Sequence, residues 1–572
     1  MSFAVSLPQP ANHIIHVKLR ATGLKGESQD FKMPAWAPGY YRILDFAKNV
    51  SNFRAVNGSG HPLAWEQTSK NTWRVAAANT PAIVLNYDVT ALTQFVAQTY
   101  LNENRAFISA PGLYMHVAGH IQQQPVTVAF ELPAGWTKIA TGLDPVPGKP
   151  NTFAAPDFDV LYDCPTLLGN QEWIEFEAAG RPHRAAIENV PASVDRQKIA
   201  ADLKRMVEAA TRLIGDVPYR HYTFLLMGKG NGGIEHLNSA AIAFNADSLA
   251  TEPGYRRWLS YVAHEYFHNF NVKRIRPIAL GPFDYDRENL TNMLWVSEGL
   301  SVYYQDLVLV RAGLITGEQY LEKMATTIGR FENAPGHRYQ SAAESSFNTW
   351  GSSGVGNDRN TSISYYDNGA MLGALLDLSI RNGSANRKSL DDVMRGVYRK
   401  YYQEKKRGFT DAEFRAECEQ AAGTPLDEVF SYAATSKEMD YAKYFGYAGL
   451  TVESASQEAK GAWLGVNTRS QETGLDVVEV ISRSPAEGAG LHAGDRITAV
   501  EGVKATPKTL NDALVARKPG DALRLRLTRD GDSRDIDVAL GKNATWTFHI
   551  APAPAPSALQ TAILKDWLRA QQ

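Results

Sequence analysis

The sequence predicts a multidomain α+β protein, in which an N-terminal β domain precedes a larger, mainly helical domain and a small mixed domain. Its 572 residues exceed what one hydrophobic core holds. Short runs that alternate apolar and polar residues fill the first third of the chain. Helical periodicity begins near residue 195 and stops near residue 455. These observations place the strands before the helices and a separate domain after them.

The N-terminal region is predicted to be a β domain over residues 1–185. Residues 13–19, 83–89 and 126–132 alternate between apolar and polar side chains, which is typical of half-buried strands, and Pro, Gly and Asn separate them. Residues 34–41 are rich in turn-forming and aromatic residues. We interpret this segment as a packed corner, with contact between its rings and a ligand as the alternative.

The middle of the chain is organised around His264-Glu-Tyr-Phe-His268, inside an apolar run that predicts a buried helix. Residues four apart lie on one face of a helix, so the two imidazoles can point at one place. Neutral imidazole is a preferred ligand of Zn²⁺, and Glu265 is placed to reach a water at the metal rather than the metal itself. The alternative is two core histidines and a helical glutamate.

A third metal ligand is predicted at Glu298, the single acid near the start of the apolar run 295–304. A carboxylate in such surroundings is costly unless it is paired or bound to a metal. With His264 and His268 it completes a set of two histidines and one glutamate, which leaves a fourth position open as a catalytic zinc requires. The alternative is an acid stabilised by the dipole at a helix N-terminus.

Composition and charge exclude several classes of protein. The formal net charge is −2 and no long basic block is present, so we expect no nucleic-acid partner. The two cysteines, Cys164 and Cys418, are too few for a disulfide framework. The first residues lack the pattern of a signal peptide, and no apolar run reaches the roughly 20 residues of a membrane span. We therefore expect a cytoplasmic protein, or a periplasmic one if a leader has been removed.

Residues 264–277 and 294–304 resemble the M61 glycyl aminopeptidase family, and residues 34–42 and 157–165 resemble the N-terminal domain of that family. The resemblance covers most of the chain. It implies a gluzincin fold with a thermolysin-like zinc catalytic domain and one Zn²⁺ per chain. It also implies a metallo-aminopeptidase whose partners are peptides with a free N-terminus, with a preference for small residues, Gly and Ala.

The segment Gly232-Gly-Ile-Glu235 resembles the exopeptidase motif of aminopeptidases, whose glutamate holds the α-ammonium group of the substrate. The resemblance thus implies substrate binding by Gly232, Gly233 and Glu235. A buried carboxylate pairs well with a cation and is costly without one, so the chemistry is reasonable. A strand-edge acid in a salt bridge is the alternative for Glu235.

Residues 364–372 resemble the motif of the related M1 aminopeptidases, whose tyrosine donates a hydrogen bond to the tetrahedral oxyanion. The correspondence points to Tyr366, with Tyr365 as the neighbouring alternative. The sequence has Asn368 where that motif has lysine. With this tyrosine, the sequence contains candidates for the zinc ligands, the general base and the oxyanion donor of zinc-assisted hydrolysis.

Residues 273–292 lengthen the connection between the two ligand-bearing segments and are expected to form a loop between helices. Charged side chains in loops are mostly exposed to solvent. We therefore expect Lys273, Arg274 and Arg276 to face solvent, with contact to a peptide carboxylate as the alternative.

Residues 461–466 and 484–502 resemble a PDZ domain of the protease-associated kind. Such domains bind an extended peptide at a sheet edge, with its C-terminal carboxylate in a backbone nest, so a peptide ligand is a candidate partner. Alternating Ala and Pro then predict a stiff linker before a terminal helix. The predicted domain limits are an N-terminal β domain at 1–185, a catalytic and helical domain at 186–452, a PDZ domain at 453–545, and a linker and helix at 546–572.

Together these residues predict a zinc-dependent aminopeptidase in which Glu265 moves a proton from the attacking water to the leaving amine and Tyr366 stabilises the oxyanion. One alternative is an endopeptidase with the same zinc chemistry. Another is a PDZ scaffold without catalytic activity, against which the intact set of site residues argues.

Overall fold

The structure is a computed structural model that describes residues 1–77, 80–351, 358, 360–458, 461–542 and 544–569. It confirms the predicted multidomain α+β class, with a β domain first, a mixed and largely helical domain next, and a small domain with its own sheet. Within these residues, no helix combines the length and the apolar character that a bilayer crossing requires.

In the described residues, the N-terminal domain is built from three sheets that share one apolar core. Alternate side chains of the strand Ile14–Thr22 are buried, as the alternating sequence predicts. The elements are β1 Ser2–Ser6, β2 Ile14–Thr22, β3 Ser28–Lys32, β4 Val50–Asn57, β5 Trp65–Ser69, β6 Thr72–Ala76, β7 Ala82–Thr90, β8 Tyr100–Leu101, β9 Ala106–Ile108, β10 His116–Val117, β11 Val126–Glu131, β12 Lys138–Thr141, β13 Asp144–Pro145, β14 Thr152–Ala155, α1 Phe158–Tyr162 and β15 Thr166–Gly169. The strand orders are β13-β14-β11-β1-β2-β7-β4, β10-β3-β6-β5 and β12-β15-β9-β8.

The large domain packs helices against one mixed sheet. Its strands are β16 Glu172–Ala178, β17 Arg181–Ile187, β18 Tyr222–Met227, β19 Gly232–Glu235 and β20 Ser239–Ala243, in the order β16-β17-β18-β20-β19. Its helices are α2 Arg196–Ile214, α3 Glu252–Phe267, α4 Leu300–Arg311, α5 Gly317–Glu332, α6 Ala342–Phe347, α7 Tyr365–Gly383, α8 Leu390–Val397, α9 Asp411–Ala422, α10 Asp427–Ala434 and α11 Tyr441–Gly446. The edge strand β19 runs antiparallel to β20 and lies against α3, which in turn packs on α4.

The small domain has a separate apolar core. Its elements are β22 Val466–Gln471, β23 Gly474–Val480, α12 Pro485–Gly488, β24 Arg496–Val500, β25 Val503–Lys504, α13 Pro507–Val515, β26 Ala522–Arg529 and β27 Asp532–Ala539. The strand order is β22-β23-β24-β26-β27, with β25 paired to β24, so β22 lies at one end of the sheet.

The small domain is inserted into a hairpin that belongs to the large domain. Strand β21, Leu450–Glu458, pairs antiparallel with β28, Ala544–Pro552, along its whole length. Strand β28 packs on α5, and the terminal helix α14, Ala558–Trp567, buries Trp567 in the core of the large domain. The linker predicted from residue 546 is therefore a strand as far as Pro552. Its partner strand lies on the far side of the small domain in the sequence, which hides the pairing from local reasoning.

Each predicted domain limit falls inside a strand. The limit at 185 lies in β17, which pairs with β18 of the large domain. The limits at 452 and 545 lie in β21 and β28. Strand β17 pairs with β18, and β21 and β28 pack on α11 and α5, so all three strands lie with the large domain. The domain limits remain predictions.

Candidate metal centre and active site

Helix α3 carries the first four residues of the predicted motif, and His268 caps its C-terminal end. The Thr251 side chain accepts a hydrogen bond from the backbone N–H of Gly254, which caps the helix, and Pro253 occupies the first turn. One turn of the helix separates His264 from His268, and their Nε2 atoms lie 3.0 Å apart. The sequence therefore places two imidazole nitrogens at one point, as predicted.

Glu298 reaches the same point from a second segment. It lies in a π-helical turn, Trp295–Gly299, that leads into α4. Its Oε2 atom is 3.1 Å from Nε2 of His268 and 3.6 Å from Nε2 of His264. A side chain at Gly299 would overlap the backbone of Gly369 in α7, so glycine allows the two helices to approach closely here. Such π-helical turns occur frequently at functional sites.

The three side chains fit a divalent cation by their chemistry. Their donor atoms all lie within 4.8 Å of one another and all three residues are buried. Nδ1 of His268 lies 2.8 Å from the carbonyl oxygen of Asn271, which favours a proton on Nδ1, so Nε2 is the nitrogen that binds a metal when the metal displaces its proton. Two imidazole nitrogens and one carboxylate oxygen form a donor set that Zn²⁺ takes.

The electrostatics of the three residues also favour a cation between them. Burial lowers the pKa of His264, which keeps this imidazole neutral and able to act as a ligand. Burial also lowers the pKa of His268, but the Glu298 carboxylate outweighs it and raises the pKa to about 9. The negative charge of Glu298 therefore favours a positive charge beside the two imidazoles, which a divalent cation supplies.

Glu265 lies between strand β19 and the three-residue cluster, with a carboxylate oxygen within 4.8 Å of a His268 ring nitrogen. A side chain at Gly233 would overlap Oε1 of Glu265 and would lie within 2.6 Å of the Tyr261 hydroxyl, so strand β19 passes directly over the carboxylate. Burial raises the pKa of Glu265 well above its usual value, and the carboxylates of Glu235 and Glu298 raise it further. Burial and the neighbouring carboxylates therefore increase the affinity of Glu265 for a proton.

Glu235 lies at the end of β19 and is 4% exposed. Its Oε1 atom is 3.7 Å from Nζ of Lys273, and together with Glu265 and His268 it forms a second group of donor atoms within 4.8 Å. The structure therefore brings Glu235 to the same centre as the other predicted residues. Gly232, three residues before Glu235 at the start of β19, packs next to Phe95 of the N-terminal domain.

Tyr366 and Tyr365 differ in their surroundings. The Tyr366 ring lies 6.2 Å from the His264 ring, centroid to centroid, and is partly exposed. Tyr365 is 1% exposed, and its hydroxyl lies 3.2 Å from Oγ1 of Thr349. The geometry therefore favours Tyr366 as the tyrosine that meets a substrate.

The N-terminal domain contributes to this centre, and the sequence indicated it only as an alternative. Residues 34–41, interpreted as a packed corner, are largely buried, and Trp36 packs against Phe283 and Trp350 of the large domain. The Tyr41 hydroxyl donates to Oε1 of Glu298 at 3.4 Å. The aromatic composition of the segment was the signal, but its partner was not predictable from local sequence.

The predicted exposure of Lys273 and Arg274 is wrong. Lys273 is 8% exposed and Arg274 is 4% exposed. Nη1 of Arg274 donates to the Asn269 carbonyl oxygen at 2.6 Å, while Lys273 pairs with buried carboxylates. These charges are buried because carbonyl and carboxylate oxygens from other parts of the chain satisfy them. Arg276 is partly buried, with its guanidinium 5.8 Å from the centroid of the Phe283 ring.

Family models match three parts of the chain. Residues 2–170 match the Peptidase M61 N-terminal domain, residues 257–372 match the M61 glycyl aminopeptidase, and residues 462–540 match a PDZ domain. The second range contains the two histidines, both tyrosines and the glutamates of the site except Glu235. No functionally curated protein matches the chain.

Two solved structures show the extent of the structural similarity. An aminopeptidase N family protein from Idiomarina loihiensis has a TM-score of 0.88 and 28% sequence identity, with 99% of each chain covered. An M1 zinc metallopeptidase from Deinococcus radiodurans, solved with a Tyr-Ser-Ala substrate, has a TM-score of 0.50 and 13% identity, with 77% of this chain and 94% of that chain covered. The second likeness concerns the fold alone.

Proposed function

We propose that this chain is a zinc-dependent aminopeptidase of the M61 kind that releases small N-terminal residues from peptides, because M61 family models match residues 2–170 and 257–372. The observation that chiefly supports an aminopeptidase is the buried carboxylate of Glu235 beside Glu265 and the three-residue cluster. Such a carboxylate is costly without a cation, and a peptide with a free N-terminus supplies one.

The proposed zinc ligands are Nε2 of His264, Nε2 of His268 and Oε2 of Glu298. Zinc, when bound, polarises the scissile carbonyl and lowers the pKa of water. Asn271 orients His268 through the contact to Nδ1, and Tyr41 contacts the second carboxylate oxygen of Glu298. These contacts hold the donor atoms in place before a metal binds.

The proton transfers are proposed for Glu265. Its carboxylate accepts the proton of the attacking water and later donates it to the nitrogen of the leaving amine. Glu265 is buried against strand β19, so its carboxyl group is shielded from solvent while it holds the proton between the two steps. The Tyr366 hydroxyl donates a hydrogen bond to the developing oxyanion.

The proposed anchor for the substrate amine is Glu235. Three buried carboxylates, those of Glu235, Glu265 and Glu298, converge on this region and favour a cationic α-ammonium group. Gly232 and Gly233 are proposed to let the peptide backbone approach strand β19 closely, since neither carries a side chain.

The preference for Gly and Ala is proposed from the confined space beside the anchor. An ideal Cβ at Gly39 would lie 2.7 Å from Oε2 of Glu235 and 2.7 Å from Cγ2 of Ile234. The adjacent Tyr40 ring packs 4.9 Å from the ring of Phe95, which covers Gly232. We propose that this close packing beside the anchor restricts the substrate side chain to a small size.

The proposal is tested with free and N-acetylated aminoacyl anilides of Gly, Ala and Leu, before and after removal of metal by a chelator. We expect fast release from free Gly and Ala substrates, slow release from the others, and recovery with added zinc. Glu235→Ala should lower kcat/KM for free substrates by about ten- to a hundred-fold, the value of a charge-assisted hydrogen bond, while metal content stays unchanged.

Equal cleavage of blocked and free substrates by the unmodified protein would instead indicate an endopeptidase. Absence of cleavage in a folded, zinc-loaded protein would indicate a non-catalytic scaffold. A peptide ligand at the PDZ domain is a separate proposal, supported by the position of β22 at the end of its sheet.

A further inference from the structure

Lys273 is a buried cation that the proposed reaction does not use. Its Nζ atom lies 2.7 Å from Oδ1 of Asp163 and 3.7 Å from Oε1 of Glu235. All three side chains are buried, at 4 to 8% exposure. Asp163 follows helix α1 in the N-terminal domain, so the three residues connect that domain to the candidate substrate anchor.

The charges in this group do not balance. Two buried carboxylates share one ammonium, and the shorter contact is with Asp163. Asp163 also accepts a hydrogen bond from the backbone N–H of Leu237 at 2.7 Å and lies 3.4 Å from Nδ1 of His236. Most of the uncompensated negative charge therefore remains on Glu235, where a second cation is needed.

The pKa shifts agree with this division. Burial raises the pKa of Asp163, but Lys273 and His236 outweigh it, so the net pKa is lowered and Asp163 stays ionised. Burial lowers the pKa of Lys273, but Asp163 and Glu235 outweigh it, so the net pKa is raised and the ammonium keeps its proton.

We propose that Lys273 is a positioning residue for recognition of the substrate amine: held by Asp163, it orients Glu235 through Oε1 and leaves one negative charge there for the α-ammonium group. This inference rests on the aminopeptidase function proposed above. It also makes the N-terminal domain necessary for amine recognition, because Asp163 holds Lys273 in place.

The first test compares free glycyl anilide with its N-acetylated form in the zinc-loaded protein and in Lys273→Met. The methionine keeps the unbranched side chain and removes the charge, so Glu235 loses its orienting partner. We expect the ratio of kcat/KM for free over acetylated substrate to fall about tenfold, mainly through KM, with unchanged zinc content. Lys323→Met is the control for loss of a lysine that pairs with a buried aspartate, here Asp306, although the Lys323 side chain is 45% exposed. It should lower only the Tm.

The second test separates amine recognition from simple neutralisation of Asp163. The double variant Lys273→Met with Asp163→Asn removes one charge of each sign and keeps an acceptor for the N–H of Leu237. We expect it to recover the Tm lost in Lys273→Met without recovering the substrate ratio. Lys273→Arg retains the cation and should recover part of the ratio.

The outcomes distinguish this inference from the proposed function. If the unmodified protein cleaves acetylated and free substrates equally, the aminopeptidase proposal fails. If it prefers free substrates, but Lys273→Met lowers both rates equally or the double variant restores the ratio, Lys273 is only a structural ion pair and this inference is overturned.

Discussion

The Tyr41 hydroxyl in the N-terminal domain lies 3.4 Å from Oε1 of Glu298 in the large domain, and both side chains are buried. The other carboxylate oxygen of Glu298 faces the two histidines. A proposed zinc ligand is therefore supported from a different domain, 257 residues away in the sequence.

Tyr41→Phe is expected to weaken zinc binding. The substitution keeps the ring and removes the hydroxyl that orients Glu298, and loss of such an outer partner costs about tenfold or more in metal affinity. Competition with a zinc-chelating dye measures the dissociation constant directly. Tyr40→Phe, a neighbouring change beside Phe95, is the control and should leave the constant unchanged. If the two variants have equal dissociation constants for zinc, the Tyr41 hydroxyl does not support metal binding and Tyr41 only contributes to packing.

Glu265→Gln should keep zinc and lose nearly all turnover. Glutamine is close in shape but cannot accept the proton, so kcat should fall by about 10²–10⁴-fold. His264→Ala and Glu298→Ala should instead lower metal content, since both remove a donor atom. Elemental analysis and steady-state rates on the same preparations separate the two classes. Near-normal turnover in zinc-loaded Glu265→Gln would remove Glu265 from the mechanism.

Much of this centre was predictable because helical spacing is a local property. Spacing by four residues placed His264 and His268 together, and an isolated acid in an apolar run indicated Glu298. Lys273 was not predictable in the same way. Its partners, Asp163 and Glu235, lie 110 and 38 residues away in the chain, and a loop has no periodicity that shows which side is buried.

Tyr366→Phe should lower kcat more than Tyr365→Phe. The Tyr366 ring faces His264, whereas the Tyr365 hydroxyl is occupied by Thr349. Loss of one oxyanion donor costs about 10²–10³-fold in kcat. Rates at saturating substrate, with zinc content checked in both variants, decide between the two tyrosines. A larger loss in Tyr365→Phe would assign the donor role to that residue.

Gly39→Ala should disturb the substrate anchor as well as the backbone. The residue has a φ of +89°, and the added methyl group would lie 2.7 Å from Oε2 of Glu235. Gly119→Ala is a matched control, since its φ is +78° and nothing lies within 4 Å of the new Cβ. Both variants should lose about 1–2 kcal/mol of stability from the left-handed backbone.

Only Gly39→Ala should lower kcat/KM for free N-terminal substrates beyond what the change in folded protein explains. Thermal unfolding measures the stability of each variant. The reaction rates are compared after division by the concentration of zinc-loaded protein. If both glycine variants lose activity in proportion to stability, Gly39 is needed only for the backbone turn and does not affect the position of Glu235.

Removing the PDZ domain should be tolerated if the hairpin is preserved. Glu458 and Ala544 are paired across β21 and β28, so an Asn-Gly turn can join them in place of residues 459–543. We expect this variant to keep hydrolysis of dipeptide-sized substrates within about threefold, because the proposed site residues lie outside the excised segment. A folded, zinc-loaded variant without activity would make the PDZ domain part of the site.

Ending the chain after Glu453 should have the opposite result. That truncation removes β28 and α14, including Trp567, which is fully buried and whose Nε1 donates to the Tyr303 hydroxyl at 2.8 Å. Loss of a buried tryptophan costs about 3–5 kcal/mol even when only the side chain is removed. Circular dichroism of the two shortened proteins at equal concentration should show native helix in the first and loss of cooperative unfolding in the second.

The interrupted hairpin also determines the order in which the domains can fold during translation. Strand β21 is translated before the PDZ segment, and its partner β28 is translated only after it. The PDZ domain, with its own core, can fold while the large domain still waits for β28 and for Trp567 near the C-terminus. A nascent chain that stalls before Trp567 therefore exposes the apolar surface of the large domain that Trp567 covers, and exposed apolar surface is bound by chaperones and proteases.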